Sequence, residues 1–304
     1  KSFAVPNIEP GVIVEYRYKE AVDDAGASGM RLPLQRDIPV RHLAYYYKPH
    51  QKEPQYQAYN LDEFKFVKDS DGYFLGERRN VPAFKEEPRM PPEDQVRPWL
   101  LLTSTRIQFT SVNMSGFSFV IKDPSDPRRY WAAVSSEKSP TLEFILKQDK
   151  KIKAEAERIT AGATTTEDKL RRLYDFVQKD IHNAYYDTTI TPEQRKKLPQ
   201  IKSVGDILER KRASSPAHVD WLFAALAGSL GFDVRLAFTG NKSEMFFNPN
   251  MTNDRLLHFA GIAIRDGDKS TYFNPCDPHM PFGTLSWFEE GTFVMQVGKH
   301  NYIW

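Results

Sequence analysis

Hydrophobic and polar positions divide the chain into two halves of different period. In the first half the spacing is two. "GVIVEYRYKEA" sets Val12, Val14, Tyr16 and Tyr18 on one side and Glu15 and Arg17 on the other, as a half-buried strand requires. "IPVRHLAYYYKP" and "WLLLTSTRIQFTSV" repeat the theme less regularly. Between them "NVPAFKEEPRMPPEDQVRPW" carries prolines at 82, 88, 91, 92 and 98. Each one fixes φ and removes a donor, so the stretch predicts an extended, irregular strap and neither a helix nor a central strand.

From about residue 140 the spacing becomes helical. "TLEFILKQDKKIKAEAERITAG" predicts a charged surface helix or helix pair. In "TTTEDKLRRLYDFVQKDI" the residues Leu170, Leu173, Tyr174, Val177 and Ile181 lie on one helical face, and Thr164 with Glu167 or Thr165 with Asp168 supplies a cap. "SVGDILERK" predicts a short helix, and "RASSPAHVDWLFAALAGSLG" a turn running into an apolar helix that ends near Gly228–Gly231. After it, "FDVRLAFTG" and "HFAGIAIRDGDKSTYFNP" read as strands, the second a hairpin pivoting on Asp266-Gly267. No internal repeat is present. Strands followed by helices and a hairpin give an α+β chain.

Composition narrows the function classes. Across 304 residues, 42 Lys and Arg nearly balance 40 Asp and Glu, and no basic stripe interleaved with aromatics is present. Nucleic acid is therefore not an expected partner. No apolar run reaches the ~18 residues of a membrane helix. The first residues, "KSFAVPNIEPG", lack the apolar core of a signal peptide. One cysteine, Cys276, excludes an internal disulfide and a multi-cysteine zinc site. No metal and no organic cofactor is implied.

Acyl-transfer chemistry needs a nucleophile at a helix start, a histidine within reach and a group that orients the histidine. The chain offers these in order: the Ser214-Ser215-Pro216 turn, His258 opening a strand, and Asn274 at the end of the next. On adjacent strands the side chains of His258 and Asn274 could meet. Locally, Ser215 as N-cap and Pro216 as the first helical residue make an ordinary helix start. A serine nucleophile at Ser215 needs an aligned base and an oxyanion hole. Cys276, next to Asp277 and near His279, reads as a packed loop thiol or a displaced nucleophile. Two potential ligands in a Pro-flanked loop are too few for a structural zinc. His218, in the first helical turn, reads as a capping or solvated residue or as a pocket wall. Trp287 and Phe288 read as core or as the wall of a ligand groove.

The stretches "VPNIEPGVIVEYRY", "NVPAFKEEPRMPPEDQVRPW", "EDKLRRLYDFVQKDI", "ILERK…LFAALAGSLGFDVRLA", "HFAGIAI.DG" and "YFNPCDPHMPFGTLSW" together resemble the transglutaminase-like superfamily. More narrowly, they look like bacterial proteins in which an uncharacterised β-sandwich module precedes a transglutaminase-like domain. The resemblance implies a β-sandwich-like region over residues 1–138, lacking its first strands, and a papain-like α+β core with a helical lead-in over 139–304. It implies a Cys-His-Asp triad, whose histidine falls on His258 and whose aspartate falls on Asn274. The cysteine falls on Ser215 or Pro216, depending on the anchor used for counting, and neither is a thiol. The triad is therefore degenerate, and the expectation is a catalytically inactive protein. Its cleft, with Pro216, His218, Cys276 and Trp287 as candidate ligand contacts, would bind or scaffold a peptide, a protein or a cell-envelope polymer. The alternative is an acyl hydrolase or transferase using Ser215 or Cys276 with His258. A purely structural spacer is a third reading. The resemblance leans towards a periplasmic or secreted location.

Overall fold

A computed structural model of the protein describes residues 9–15, 29–48, 54–103, 108–111 and 119–304. Of the strand expected at 11–21, residues 12–15 are not in a strand, and residues 16–21 lie outside the described residues.

In the first part, β1 (Arg31–Pro33), β2 (Val40–Tyr47), β3 (Tyr56–Tyr59), β4 (Val67–Lys68), β5 (Phe74–Val81), the single turn α1 (Glu93–Val96) and β6 (Trp99–Leu102) follow in order. They form two antiparallel three-stranded sheets, β1-β6-β3 and β2-β5-β4. Leu32, Leu34, Leu100 and Leu102 are buried in one cluster against Leu43, Tyr45, Tyr47 and Tyr56. A hairpin of β7 (Gln108–Ser111) and β8 (Phe119–Lys122) follows. The proline strap departs from its expected form at its two ends, where Asn80 and Val81 finish β5 and Trp99 opens β6, and at one place within. After Pro92 the chain turns once as α1, because proline suits a helix start and Glu93 and Asp94 fall in the first turn.

The second part holds α2 (Pro127–Ile145), α3 (Lys150–Ile159), α4 (Thr166–Lys179), β9 (His182–Asn183), α5 (Pro192–Lys196), α6 (Val204–Arg210), β10 (Arg212–Ala213), α7 (Pro216–Ser229), β11 (Asp233–Thr239), β12 (His258–Asp266), β13 (Lys269–Phe273), β14 (Val294–Val297) and β15 (Tyr302–Ile303). Local chemistry sets the helix starts. Thr165 accepts from the Asp168 amide at 3.1 Å and opens α4, and Ser203 caps α6 in the same way. The charged stretch at 141–162 forms the end of α2 and then α3, a helix pair.

The five strands β13-β12-β11-β14-β15 form an antiparallel sheet. Nearly every side chain of α7 from Val219 to Ala227 is buried, because this helix lies between the sheet and its neighbours α3, α4 and α6. Leu236, Ile262, Ile264, Phe273, Met295 and Val297 face this helical core, while Ala237, Ala263 and Val294 form a small cluster with Tyr272 on the other face. The fold is α+β.

The division expected at residue 138 falls inside α2, which runs unbroken from 127 to 145. Trp99 and Leu101 of β6 share the core of α2, α4 and α7. Further polar contacts tie the first part to the loop before β12. The Asp94 carboxylate accepts from the Phe246 amide, and Gln57 Nε2 donates to Asn250 O at 3.1 Å. Buried Lys122 meets Glu137 at 2.6 Å and Asp254 at 3.1 Å. Burial alone would pull its pKa down, but hydrogen bonding to Glu137 and the Asp254 charge outweigh that and raise it.

Candidate functional site

The turn before α7 is held by a two-residue parallel pairing of β9 with β10. Ser215 is the N-cap in extended conformation (φ −143°, ψ 157°) with Pro216 after it, but its hydroxyl makes no cap hydrogen bond. Its carbonyl instead accepts from the His218 amide at 3.2 Å. His218 reaches back one residue further. Its Nδ1 lies 3.3 Å from both the amide nitrogen and the hydroxyl of Ser214. An amide can only donate, so Nδ1 is an acceptor and the ring is neutral when this bond forms. Burial lowers its pKa, in keeping with that state. No carboxylate accepts a hydrogen bond from the His218 ring among the described residues; the ring lies against Trp221, with centroids 5.4 Å apart. The His218 ring thus accepts from the residue before the N-cap without the reciprocal bond of a capping box, and the Ser214–His218 pair lacks the third member of a triad.

One turn further along α7, Asp220 is almost fully buried (1% exposed) and accepts from the Cys276 amide at 3.0 Å. Burial pushes its carboxyl up to about 8, against the pull of its bonds from Cys276. The Cys276 thiol donates to Asn274 Oδ1 at 2.9 Å, and Asn183 Nδ2 donates to the Cys276 carbonyl at 3.2 Å. Burial and then the Asp220 charge push this thiol far above its ordinary range. It has none of the electropositive surroundings that make a cysteine reactive. Asp220, Asn274 and Cys276 thus form a closed knot that fastens the 274–277 turn to α7.

His258 makes no hydrogen bond to this knot among the described residues, although the charge of its partner Glu289 also acts on the Cys276 thiol. Regular alternation back from Ile264 and Ile262 would aim His258 at α7, but β12 carries a bulge. The pairing shifts between Ala237/Gly261 and Phe238/Phe259. Gly261 has φ +122°, and a Cβ there would lie 2.3 Å from the Phe273 carbonyl oxygen, so only glycine fits. Beyond the bulge Phe259 pairs with Phe238 and joins the helical core, and His258 pairs with Thr239. Thr239 in turn pairs with Val294, which belongs to the Ala237–Ala263 cluster. Cross-strand partners share a face, so His258 lies on the side of the sheet away from α7.

There His258 Nε2 meets Glu289 Oε1 at 2.7 Å. Glu289 is 3% exposed, and its other oxygen accepts from the Ser286 amide at 3.1 Å. The threonines 239 and 292 share a 2.5 Å hydroxyl contact, and Thr292 donates to the Glu289 carbonyl at 2.6 Å, which fixes this loop to the strand end. The exposed edge of His258 opens onto a cavity of about 370 Å³ lined by Asn241, Glu244, Met245, Arg255, Leu256, Leu257 and Phe288. Trp287 is 65% exposed beside Phe288, with the Lys242 ammonium 5.9 Å from its ring.

Of the residues singled out in the sequence, the structure brings Asn274 and Cys276 together, and places Ser215, Pro216 and His218 in one turn. It does not bring His258 to any of them through a hydrogen bond among the described residues. The partner expected for His258 was Asn274; the observed one is Glu289. Asn274 lies just past the end of β13, opposite the bulge glycine, and turns its oxygen to Cys276. Glu289 carried no motif, only an acidic pair after two aromatics. Asp220 was more legible, as the single acid in an otherwise apolar helical stretch. Among the described residues no group of three or more His, Cys, Asp or Glu side chains is arranged to hold a metal ion, and no helix is long and apolar enough to cross a membrane.

No family model matches the chain, and no curated protein does. Among solved structures, a "putative protease" from Parabacteroides distasonis is similar over 90% of this chain and 46% of its own, at 14% identity and a TM-score of 0.45. This chain therefore spans about half the length of that one. A "putative cysteine protease" from Cytophaga hutchinsonii is similar over 88% of this chain and 78% of its own, at 12% identity and a TM-score of 0.32. Both likenesses are too distant to assign roles to residues.

Proposed function

We propose that this chain is a transglutaminase-like protein that binds a ligand without covalent catalysis, with a β-sandwich-like first part and a papain-like second part. The observation that carries the reading is the 2.7 Å bond between His258 and buried Glu289, on the sheet face away from the α7 turn. The Ser215 hydroxyl makes no hydrogen bond to a histidine among the described residues, and burial pushes the Cys276 thiol well above its ordinary range. The binding surface is the His258 cavity with Phe288 and the exposed Trp287 beside it. Its mixture of Arg255, Glu244, Asn241 and apolar side chains suits a peptide segment, of a protein or of a cell-envelope polymer, in a periplasmic or secreted setting. A hydrolase or transferase using Ser215 or Cys276 is favoured by no observation.

The reading is tested by titrating a library of short synthetic peptides while following tryptophan fluorescence. Saturable binding that falls about tenfold in both Trp287→Ala and His258→Ala supports it. Peptide binding unaffected by either substitution, or peptide cleavage, overturns it.

A further inference from the structure

Another cavity lies at the other end of α7, roughly 20 Å along the helix from the Ser215 turn. It is a groove of about 660 Å³ between the α2–α3 turn, the end of α7 and the β14–β15 turn. Cations converge on it from three separate parts of the chain: Lys147, Lys150 and Lys153 from the first, Arg235 from β11, and Lys299 with His300 from the last. Lys147, Lys150 and Lys299 are exposed and in no ion pair among the described residues. Lys153 reaches only Glu157, at 3.9 Å.

Both acids lining the groove are already engaged. Asp149 caps α3 by accepting from the Lys151 amide at 2.8 Å, and Asp233 accepts from Arg235 Nη2 at 3.1 Å. Arg235 is itself buried, and its Nη1 donates to Asn301 Oδ1 at 2.9 Å. Gly298 leaves room for this guanidinium, since a Cβ there would lie 2.9 Å from Nη1. A guanidinium has five N–H groups, so two remain after these three bonds. Beside the cations the groove offers apolar surface from Leu146, Ile152, Phe232 and Val234.

We propose that this groove binds an organic phosphate, its dianionic head among Lys147, Lys150 and Lys299 and its uncharged body against Leu146 and Phe232. A phosphate carries nearly two charges near neutral pH and accepts several charge-assisted bonds, which matches three unpaired ammonium groups better than a single carboxylate does. The volume is that of an ordinary small-molecule site. The site is separate from the His258 cavity and does not depend on its role.

The test is calorimetric titration of the whole chain with phenyl phosphate, inorganic phosphate and benzoate. Phenyl phosphate is expected to bind more tightly than either of the others, because only it has both head and body. Its affinity should fall tenfold or more in the Lys147→Gln/Lys150→Gln/Lys299→Gln variant, fall with added salt, and stay unchanged in His258→Ala, by rough expectation for an exposed charge site. The substituted lysines are exposed, and circular dichroism checks that the variant folds. No binding of phenyl phosphate up to about 10 mM, the weak end of specific affinity, overturns the proposal. So does equal binding by benzoate, or undiminished binding by the triple variant.

Discussion

Glu289 holds His258: their side chains meet at 2.7 Å, with the carboxylate buried in a loop and the imidazole open to a cavity. Removing the carboxylate would leave two donors, the ring and the Ser286 amide, without their acceptor. Glu289→Ala should cost about 1–3 kcal/mol of stability, the usual penalty for such a loss, and Glu289→Gln less. Urea denaturation of the two variants measures both, and an alanine variant as stable as the wild type would show that the pair is incidental.

The bulge at Gly261 turns His258 away from α7, and the glycine is required twice, by its positive φ and by the Phe273 carbonyl. Gly261→Ala should therefore be strongly destabilising, by about 2–4 kcal/mol. Gly267, in the β12–β13 turn, also has positive φ (+60°) but open space around it. Gly267→Ala should cost only about 1 kcal/mol. Thermal unfolding of the pair separates the steric demand from the conformational one.

Asp220 makes stability fall with rising pH. Its ordinary value is 3.8, and in the folded chain burial raises it to about 8. Below about pH 4 the group is protonated in both states and its contribution is fully present. As pH rises towards 8 the unfolded chain gives up this proton while the folded chain keeps it, so that contribution is progressively lost. Asp220→Asn still accepts from the Cys276 amide and cannot ionise. Its stability relative to wild type should rise steadily from pH 4 to pH 8, as denaturation at three or four pH values would show. A difference independent of pH would contradict the burial argument.

Much of the second half was legible because its elements are punctuated locally. Thr165, Ser203 and Ser215-Pro216 mark helix starts that the structure keeps. The absence of a thiol at Ser215-Pro216, where the resemblance would put a nucleophile, was plain in the sequence itself. The environment of His258 was not legible, for a reason set by the period of a strand. One extra residue at a bulge moves every later side chain to the opposite face. Gly261 inside a strand was the available warning. Glu289 lies 31 residues away in a loop, where no periodicity operates. The unbroken course of α2 through residue 138 was hidden because a change in composition does not locate the end of a packed core.

Covalent labelling tests the central claim most directly. The folded chain is treated with a fluorophosphonate and, separately, with iodoacetamide, and modified residues are located by mass spectrometry. Binding without covalent catalysis predicts no fluorophosphonate adduct on Ser214 or Ser215. It also predicts alkylation of Cys276 only after unfolding. Stoichiometric labelling of either serine or of Cys276 in the folded chain, abolished by His258→Ala, would contradict it.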